Sequence, residues 1–427
     1  MTAKSNYRPR IVDDILEKKL EGCGAVLVEG PKWCGKTTTA EHHAKSVLYM
    51  DDPARLTDNV RMAEIEPSRL LDGECPRLLD EWQIAPELWD SVRFTVDHRD
   101  GFGQFILTGS AVPADRTKIM HSGTGRFAWL TMRPMALWES GESSGDVSLG
   151  DLFSGRVKIS GESKLGIDEL AFLICRGGWP QSLKVKKGVA LEQARNYCDA
   201  VVNSDVSRAD GVNRSPERAK RIMRSLSRFQ GSQTAIAAIR KDIVTNDTEG
   251  IDEDTIRSYL NALNKIFVIE DAPAWNPNLR SKTAIRTSDT RYFVDPSIAA
   301  AISGIGPKDL LNDLNTMGLF LETLCVRDLR VYAQTLDGDV YHYRDGSGLE
   351  CDAVIHLRNG SYGLVEIKLG GKELVAEGKA TLEKLADSID TAKMKKPSFR
   401  MVLTGTGTYA YKDKDGTCIV PIGCLKP

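Results

Sequence analysis

The chain of 427 residues has no Cys-x-x-Cys pair, no apolar run of 18 residues, no internal repeat and no low-complexity tract. Its nine cysteines are scattered and odd in number, which argues against a disulfide framework and a structural zinc site; they read as reduced, mostly buried thiols. The missing apolar run argues against a helical membrane span, and residues 1–10 are too polar for a signal peptide, so a cytoplasmic protein with no membrane partner is expected. An excess of one charge is also lacking. Lys and Arg total 57 against 59 for Asp and Glu, a formal net charge of -2. Overall basicity therefore gives no argument for nucleic acid, and any such argument must rest on local clusters.

With 41% hydrophobic and 27% charged residues, the composition is that of a folded globular protein. The length suits about three domains. Residues 25–30, 46–52, 76–81, 104–110 and 127–132 are short, nearly continuous apolar runs, with amphipathic segments between several of them. Such strands belong to a parallel sheet covered by helices on both faces, so an α/β domain is expected over 1–160. Residues 139–155, rich in Gly and Ser, read as a boundary or long loop. Helices near 216–229, 232–242 and 252–266, followed by short β runs at 267–272 and 291–296, suggest a helical, winged-helix-like domain over 161–315. A helix at 318–332, three strands within 341–369, a helix near 373–389 and a strand at 401–405 make a further α/β domain over 316–427.

The strongest local signal is Gly30, Pro31, Lys32, Trp33, Cys34, Gly35, Lys36 and Thr37, a full match to G-x-x-x-x-G-K-[ST] between an apolar strand and a helical stretch. The glycines let backbone N–H groups point inward around phosphate oxygens, the helix N-terminus adds partial positive charge, and Lys36 neutralises β/γ charge. Thr37 supplies a hydroxyl to Mg²⁺, and Thr38 follows it in the expected nucleotide-binding set. Fifty residues after Gly30, an apolar strand ends in Asp80 and Glu81. Asp80 is the expected second Mg²⁺ ligand, and Glu81 the base for the attacking water. The next strand offers Thr108, with Ser110 as second choice, to the γ-phosphate or the water. Arg126, and after it Arg133, are candidates to stabilise transition-state charge, in cis or from a neighbouring subunit.

Two further features stand outside that site. Asp352 precedes Glu366 and Lys368 by one short turn, and period-2 alternation puts Glu366 and Lys368 on one strand face. Asp352 and Glu366 suit a divalent metal, with Lys368 acting on water at a phosphodiester and Glu322 as an additional carboxylate. A carboxylate and a lysine at this spacing are also common on solvated sheet faces. The second feature is a basic stretch, Arg214, Arg218, Lys220, Arg221, Arg224 and Arg228, opposite Ala219, Ile222, Met223, Leu226 and Phe229. An amphipathic helix with its basic face outward suits a phosphate backbone, with Arg218, Arg221, Arg224 and Arg228 as contacts, though such faces also serve as solvated surface or ion pairs.

Together these pieces resemble, from end to end, a prokaryotic family of AAA-type P-loop ATPases in which the ATPase domain is followed by a domain of unknown function. The resemblance is carried by residues 30–38, 78–81, 107–110, Gly125-Arg126, Gly177-Gly178-Trp179-Pro180, Tyr259-Leu260 with Leu263, Ala274-Trp275-Asn276, residues 292–295, and Glu350-Cys351-Asp352 with Glu366-Ile367-Lys368. It implies a winged-helix-like middle and a restriction-endonuclease-like C-terminal part. Trp33 and Cys34 depart from the smaller or more polar residues expected within the loop.

The expected protein is an ATPase using ATP and Mg²⁺, coupled to a C-terminal module that binds or remodels nucleic acid, DNA foremost. AAA-type sites often complete one another across subunits, so a homo-oligomer is expected. One alternative is an ATP-regulated, metal-dependent nuclease. Another is an ATP-loaded switch or scaffold that binds a protein partner and has a degenerate nuclease-like domain.

Overall fold

The five apolar runs become strands β1 (Ala25–Glu29), β2 (Ser46–Tyr49), β3 (Arg77–Asp80), β4 (Phe105–Gly109) and β5 (Phe127–Thr131) in a computed structural model that describes residues 7–109, 123–155, 159–246, 250–278 and 285–427. All neighbouring pairs are parallel, in the order β2-β3-β4-β1-β5. Alternation explains why the runs are apolar almost throughout. Ala25, Leu27, Leu79, Phe105, Leu107 and Phe127 enter one core with Leu88, Trp89 and Val92 of the helix Glu87–His98. Their neighbours Val26, Val28, Leu78, Ile106 and Leu130 enter a second core with Leu16 and Leu20 of the helix Val12–Gly22 and Ala40 of the helix Lys36–His43. With both faces covered, a strand has no solvent side on which to place polar residues. The polar positions fall instead at the strand ends.

The structure divides into two compact units, and the first gathers residues 1–134 with the distant segments 201–216 and 259–268. Within it Asp210 accepts from Arg214 at 2.6 Å and from Lys265 at 3.2 Å. Arg214 thus departs from the expected basic stretch: it precedes the helix Pro216–Arg228 and is only 5% exposed.

The second unit holds residues 135–200, 217–258 and 269–427. Residues 139–155, expected as a loop, instead include the helix Leu149–Ser154 and strand β6 (Val147–Ser148). Of the three middle helices, Pro216–Arg228 and Ile236–Asn246 fall in this unit save for Pro216, Glu253–Lys265 passes at residue 259 into the first, and β8 (Ile269–Ala272) pairs antiparallel with β9 (Thr290–Phe293). β7 (Ser160–Glu162) joins a seven-stranded mixed sheet with β10 (Gly338–Arg344), β11 (Glu350–Leu357), β12 (Tyr362–Lys368), β13 (Phe399–Thr404), β14 (Tyr409–Lys412) and β15 (Cys418–Pro421), in the order β10-β11-β12-β13-β15-β14-β7. β6 pairs with the last strand, β16 (Leu425–Lys426). Helix Leu314–Thr335, capped by the Asp313 carboxylate, packs against β10, β11 and β12, and helix Lys372–Ser388 contributes Leu382 and Leu385 to the sheet core.

A buried ionic node ties four distant segments of this unit together. Arg327 binds Asp295 at 2.8 Å and Asp328 at 2.7 Å, with all three side chains at most 2% exposed. Asp295 also accepts from the Gly178 backbone, and Asp328 from the Leu137 backbone. Gly178 is required there because a Cβ would lie 2.2 Å from the Met135 carbonyl oxygen. Burial pushes the Asp328 carboxyl up to about 6, despite the opposing pull of Arg327.

Arg327→Met is expected to cost about 3–5 kcal/mol of stability, the usual penalty for orphaning buried charge. Without the guanidinium, the folded state holds a proton on Asp328 above the unfolded aspartate value of about 3.9. The unfolded chain then binds fewer protons, so the variant's deficit grows as pH rises from that value. Urea denaturation of wild type and variant at about pH 4 and about pH 8 measures both the size and the sign.

Candidate functional site

The loop between β1 and the helix Lys36–His43 leaves the central region of the parallel sheet at its carboxyl edge, where ligands bind in open α/β sheets. Gly30 has φ 150°, and a Cβ there would lie 2.0 Å from the Met132 carbonyl oxygen beside it. Gly35, with φ 104°, turns the chain into the helix. No side chain fits the first position, and only glycine adopts the second without strain. Arg10 holds the loop from outside, donating to the Cys34 carbonyl at 2.7 Å and the Arg133 carbonyl at 2.9 Å.

Side chains of the loop divide between interior and surface. Lys36 is 5% exposed, and its ammonium donates to the Gly30 and Pro31 carbonyls at 2.9 and 2.8 Å. Cys34 is fully buried, whereas Trp33 is 46% exposed. Their unusual identities are thus accommodated by the core in one case and by solvent in the other. Pro31 is buried, Lys32 is half-buried and Thr38 is exposed.

β-sheet register brings the expected polar residues into one row. Val28 lies beside Thr108, and Thr108 beside Asp80, across β1, β4 and β3. Asp80 Oδ1 accepts from the Thr37 hydroxyl at 2.9 Å and from the Thr108 hydroxyl. Burial raises the Asp80 carboxyl above the ordinary carboxylate range, while the two hydroxyls pull it back. Thr37 and Asp80 thus present hard oxygen donors within one hydrogen bond of each other, a set that fits Mg²⁺. Glu81 follows with a left-handed backbone, φ 54°, and its carboxylate accepts from the Gln83 amide.

Arg126 is not brought to this edge. Its carbonyl accepts from Ala25 N at the start of β1, and its guanidinium pairs with Asp97 at 2.7 Å. The five residues of β1 separate it from the loop by about 16 Å at a strand's usual rise, which corrects the expectation that it acts in cis. Arg133 does follow β5 at the carboxyl edge. Ser110 lies outside the described residues.

Several features of the site carry no sequence pattern of their own. Arg10 lies upstream of the loop motif. Lys32 forms a 2.6 Å ion pair with Asp205, more than 170 residues away in sequence.

In the second unit, the β11–β12 hairpin brings together the residues expected there. Asp352 accepts from Ile367 N at 2.7 Å, Glu366 pairs with Lys368 at 3.0 Å, and Glu322 accepts from the Tyr292 hydroxyl at 2.6 Å. Burial, then the neighbouring Asp352, push Glu366 up to about 8; burial and Asp352 also raise Glu322. Lys368 is held above its ordinary value by Asp352 and Glu366, against the effect of burial. Glu322 and Asp352 line a small cleft with Tyr292, His342, Arg344 and Glu350. Each carboxylate is engaged by its own partner, and among the described residues no group of three or more His, Cys, Asp or Glu is disposed to hold a metal.

Helix Pro216–Arg228 is amphipathic as its pattern requires. Ala219, Ile222, Met223 and Leu226 are buried, Arg218, Lys220, Arg224 and Arg228 are exposed, and Arg221 is half-buried. Arg228 pairs with Asp242. No helix among the described residues is long and apolar enough to cross a membrane.

Residues 24–140 match the family model described as an AAA domain. Residues 167–309 and 317–425 match models described as domains of unknown function, DUF8612 and DUF4143. Uncharacterized proteins of Mycobacterium tuberculosis and Mycobacterium bovis are each 24% identical over 356 residues, covering 83% of this chain and 72% of the relative. Among solved structures, the Walker-type ATPase PABY2304 of Pyrococcus abyssi is 14% identical with a TM-score of 0.41, covering 71% of this chain and 99% of that one. The Orc1 protein of Aeropyrum pernix, solved in complex with DNA, is 12% identical with a TM-score of 0.25, covering 71% of this chain and 95% of that one. The matched AAA model thus covers the five-stranded parallel sheet and the G-x-x-x-x-G-K-[ST] loop, so this segment is similar to P-loop AAA domains.

Proposed function

We propose that the protein is an Mg²⁺-dependent ATPase and that its nucleotide cycle acts on a module that binds nucleic acid, DNA foremost. The observation that carries the reading is the convergence of Lys36, Thr37, Asp80 and Thr108 at one edge of the sheet. Thr37 with Asp80 would hold Mg²⁺, which would neutralise charge developing on the phosphates. Inward backbone N–H groups bind the phosphates, and Lys36 exchanges the Gly30 and Pro31 carbonyls for phosphate oxygens. Glu81, oriented by Gln83, takes the proton of the attacking water, and Thr108 orients Asp80. Arg218, Arg221 and Arg224 supply the surface for a phosphate backbone, while Arg228 is shared with Asp242.

Phosphate release measured with ATP and Mg²⁺ tests the first half. Lys36→Ala is expected to remove binding and turnover, and Glu81→Gln to slow turnover roughly 10²–10⁴-fold while ATP still binds. Equal rates in all three proteins would remove the assignment. Tight ATP binding with negligible wild-type turnover would favour the switch or scaffold instead.

For the second half, DNA affinity is titrated against salt. Arg218→Ala, Arg221→Ala and Arg224→Ala should each reduce the salt slope by about 0.9 for every DNA phosphate that the variant no longer neutralises. A wild-type affinity insensitive to salt would count against this surface.

A nuclease is the second reading, favoured by the gathering of three carboxyls, buried Glu366 and half-buried Glu322 and Asp352, around the single ammonium of Lys368. Such a site calls for protons or a cation to balance it. Incubation of DNA with Mn²⁺ is the test: cleavage lost in both Asp352→Asn and Lys368→Ala supports it, and cleavage indifferent to both assigns the activity to a contaminant.

A further inference from the structure

The phosphate loop carries two ammonium groups with opposite fates. Lys36 points inward and stays on the loop's own carbonyls. Lys32 points away, with its side chain 43% exposed, and its ammonium lies 2.6 Å from Asp205 Oδ1. Asp205 is far less accessible, at 9% for its side chain, so the pair joins a surface lysine to a nearly buried acid.

The backbone at Asp205 is unusual. Residues Val201–Asp205 form a π-helical stretch between the helix Lys187–Ala200 and the short helix Val206–Arg208, and it turns Val201, Val202 and Asp205 into the interior. A single π-turn within a helical run re-aims the side chains around it, and such turns are rare and frequently lie at functional sites. Here the re-aimed side chain is an acid directed at the phosphate loop. Segment 201–216 belongs to the same compact unit as that loop, and it is anchored by Arg214, which donates to Asp210 and to the Val206 carbonyl.

An acid in this position opposes what the loop is built to bind. It neutralises the one loop ammonium that is free to swing toward an incoming polyphosphate, and its own negative charge repels that polyphosphate. We propose that Asp205 is a positioning residue that withholds Lys32, and that a nucleoside triphosphate binds by competing with Asp205 for it. This rests on the nucleotide-binding reading of the loop. Lys32 therefore exchanges one anion for another as nucleotide enters. The release of Asp205 is energetically linked to occupancy, because nucleotide weakens the pair by the same factor by which the pair weakens nucleotide binding.

Calorimetric titration of the full-length protein with Mg·ATP tests the exchange. Asp205→Asn is expected to bind ATP roughly five- to tenfold more tightly, within the usual range of coupling between sites. In a Lys32→Gln background, which carries little folding risk because Lys32 is half-exposed, the same Asp205 substitution should give a clearly smaller gain. Lys32→Arg should restore the full response. If Asp205→Asn leaves affinity unchanged or lowers it in protein with wild-type thermal stability, the exchange is overturned. An equal gain in both backgrounds also overturns it, since that is simple charge repulsion without capture of Lys32. Should Asp205→Asn fail to fold, Lys32→Gln decides alone: weaker ATP binding is expected, and unchanged binding overturns the proposal. Lys36→Ala is run alongside. A wild type that binds no ATP overturns both readings, whereas ATP binding abolished by Lys36→Ala but indifferent to Asp205 and Lys32 overturns only this one.

Discussion

The candidate nucleotide site depends on one constraint: β1 is flanked on both sides by parallel strands whose carboxyl ends rise to the same edge. A loop leaving β1 must turn against its neighbours' backbones, and the tightest contact falls at Gly30 over the Met132 carbonyl. Because β4 lies between β1 and β3, Thr108 occupies the row between Val28 and Asp80. It can reach Asp80 while Thr37 approaches the same carboxylate oxygen from the helix that follows the loop. The apolar cores on both faces hold that row in register. A one-residue slip of any strand would exchange its two faces and carry its terminal polar residue out of the site.

The second unit buries charge in two contrasting ways. Around Arg327, two carboxylates face one guanidinium, and the backbone N–H groups of Gly178, Leu137 and Ser297 with the Ser297 hydroxyl supply the remaining donors. Such a node can be buried because each oxygen that would have met water meets a donor. Around Lys368 the donors are fewer: Ile367 N serves Asp352, Tyr292 serves Glu322, and the ammonium serves Glu366. Three carboxyls there share one ammonium, a larger acidic excess than the two that share Arg327. Fixed charge satisfied on all sides specifies a fold, while an acidic excess beside a solvent-accessible cleft leaves room for a ligand.

Local chemistry made part of this legible. β1 to β5 could be read because a strand covered on both faces needs a continuous apolar run, and the loop because its glycines, lysine and threonine are consecutive in sequence. Asp80 and Glu81 followed from their place at a strand end, and Glu366 with Lys368 from simple alternation. What the chain concealed is set by tertiary pairing. Residues 139–155 look like a linker because β6 is only two residues long and is stabilised by β16 from the far end of the chain. Arg214 reads as one more charge in a basic run, yet Asp210 draws it inward. Arg126 lies in a motif near the end of the ATPase segment, but parallel register places it at the amino edge of β5, away from the loop.

Sequence proximity and energetic proximity therefore diverge most around the phosphate loop. The matched AAA segment ends at residue 140, but the first compact unit also recruits 201–216 and 259–268. That recruitment gives an otherwise local motif a long-range partner. With the sheet alone, the loop's electrostatics would be those of Lys32, Lys36 and a helix N-terminus, all favouring anions. Asp205 subtracts from that potential at the point where the polypeptide leads into helix Pro216–Arg228. The balanced net charge of -2 thus contains a local opposition, in which a cationic loop is checked by an acid from a segment remote in sequence. A ligand that competes with the acid acts on the segment as well as on the loop, because the ion pair belongs to both.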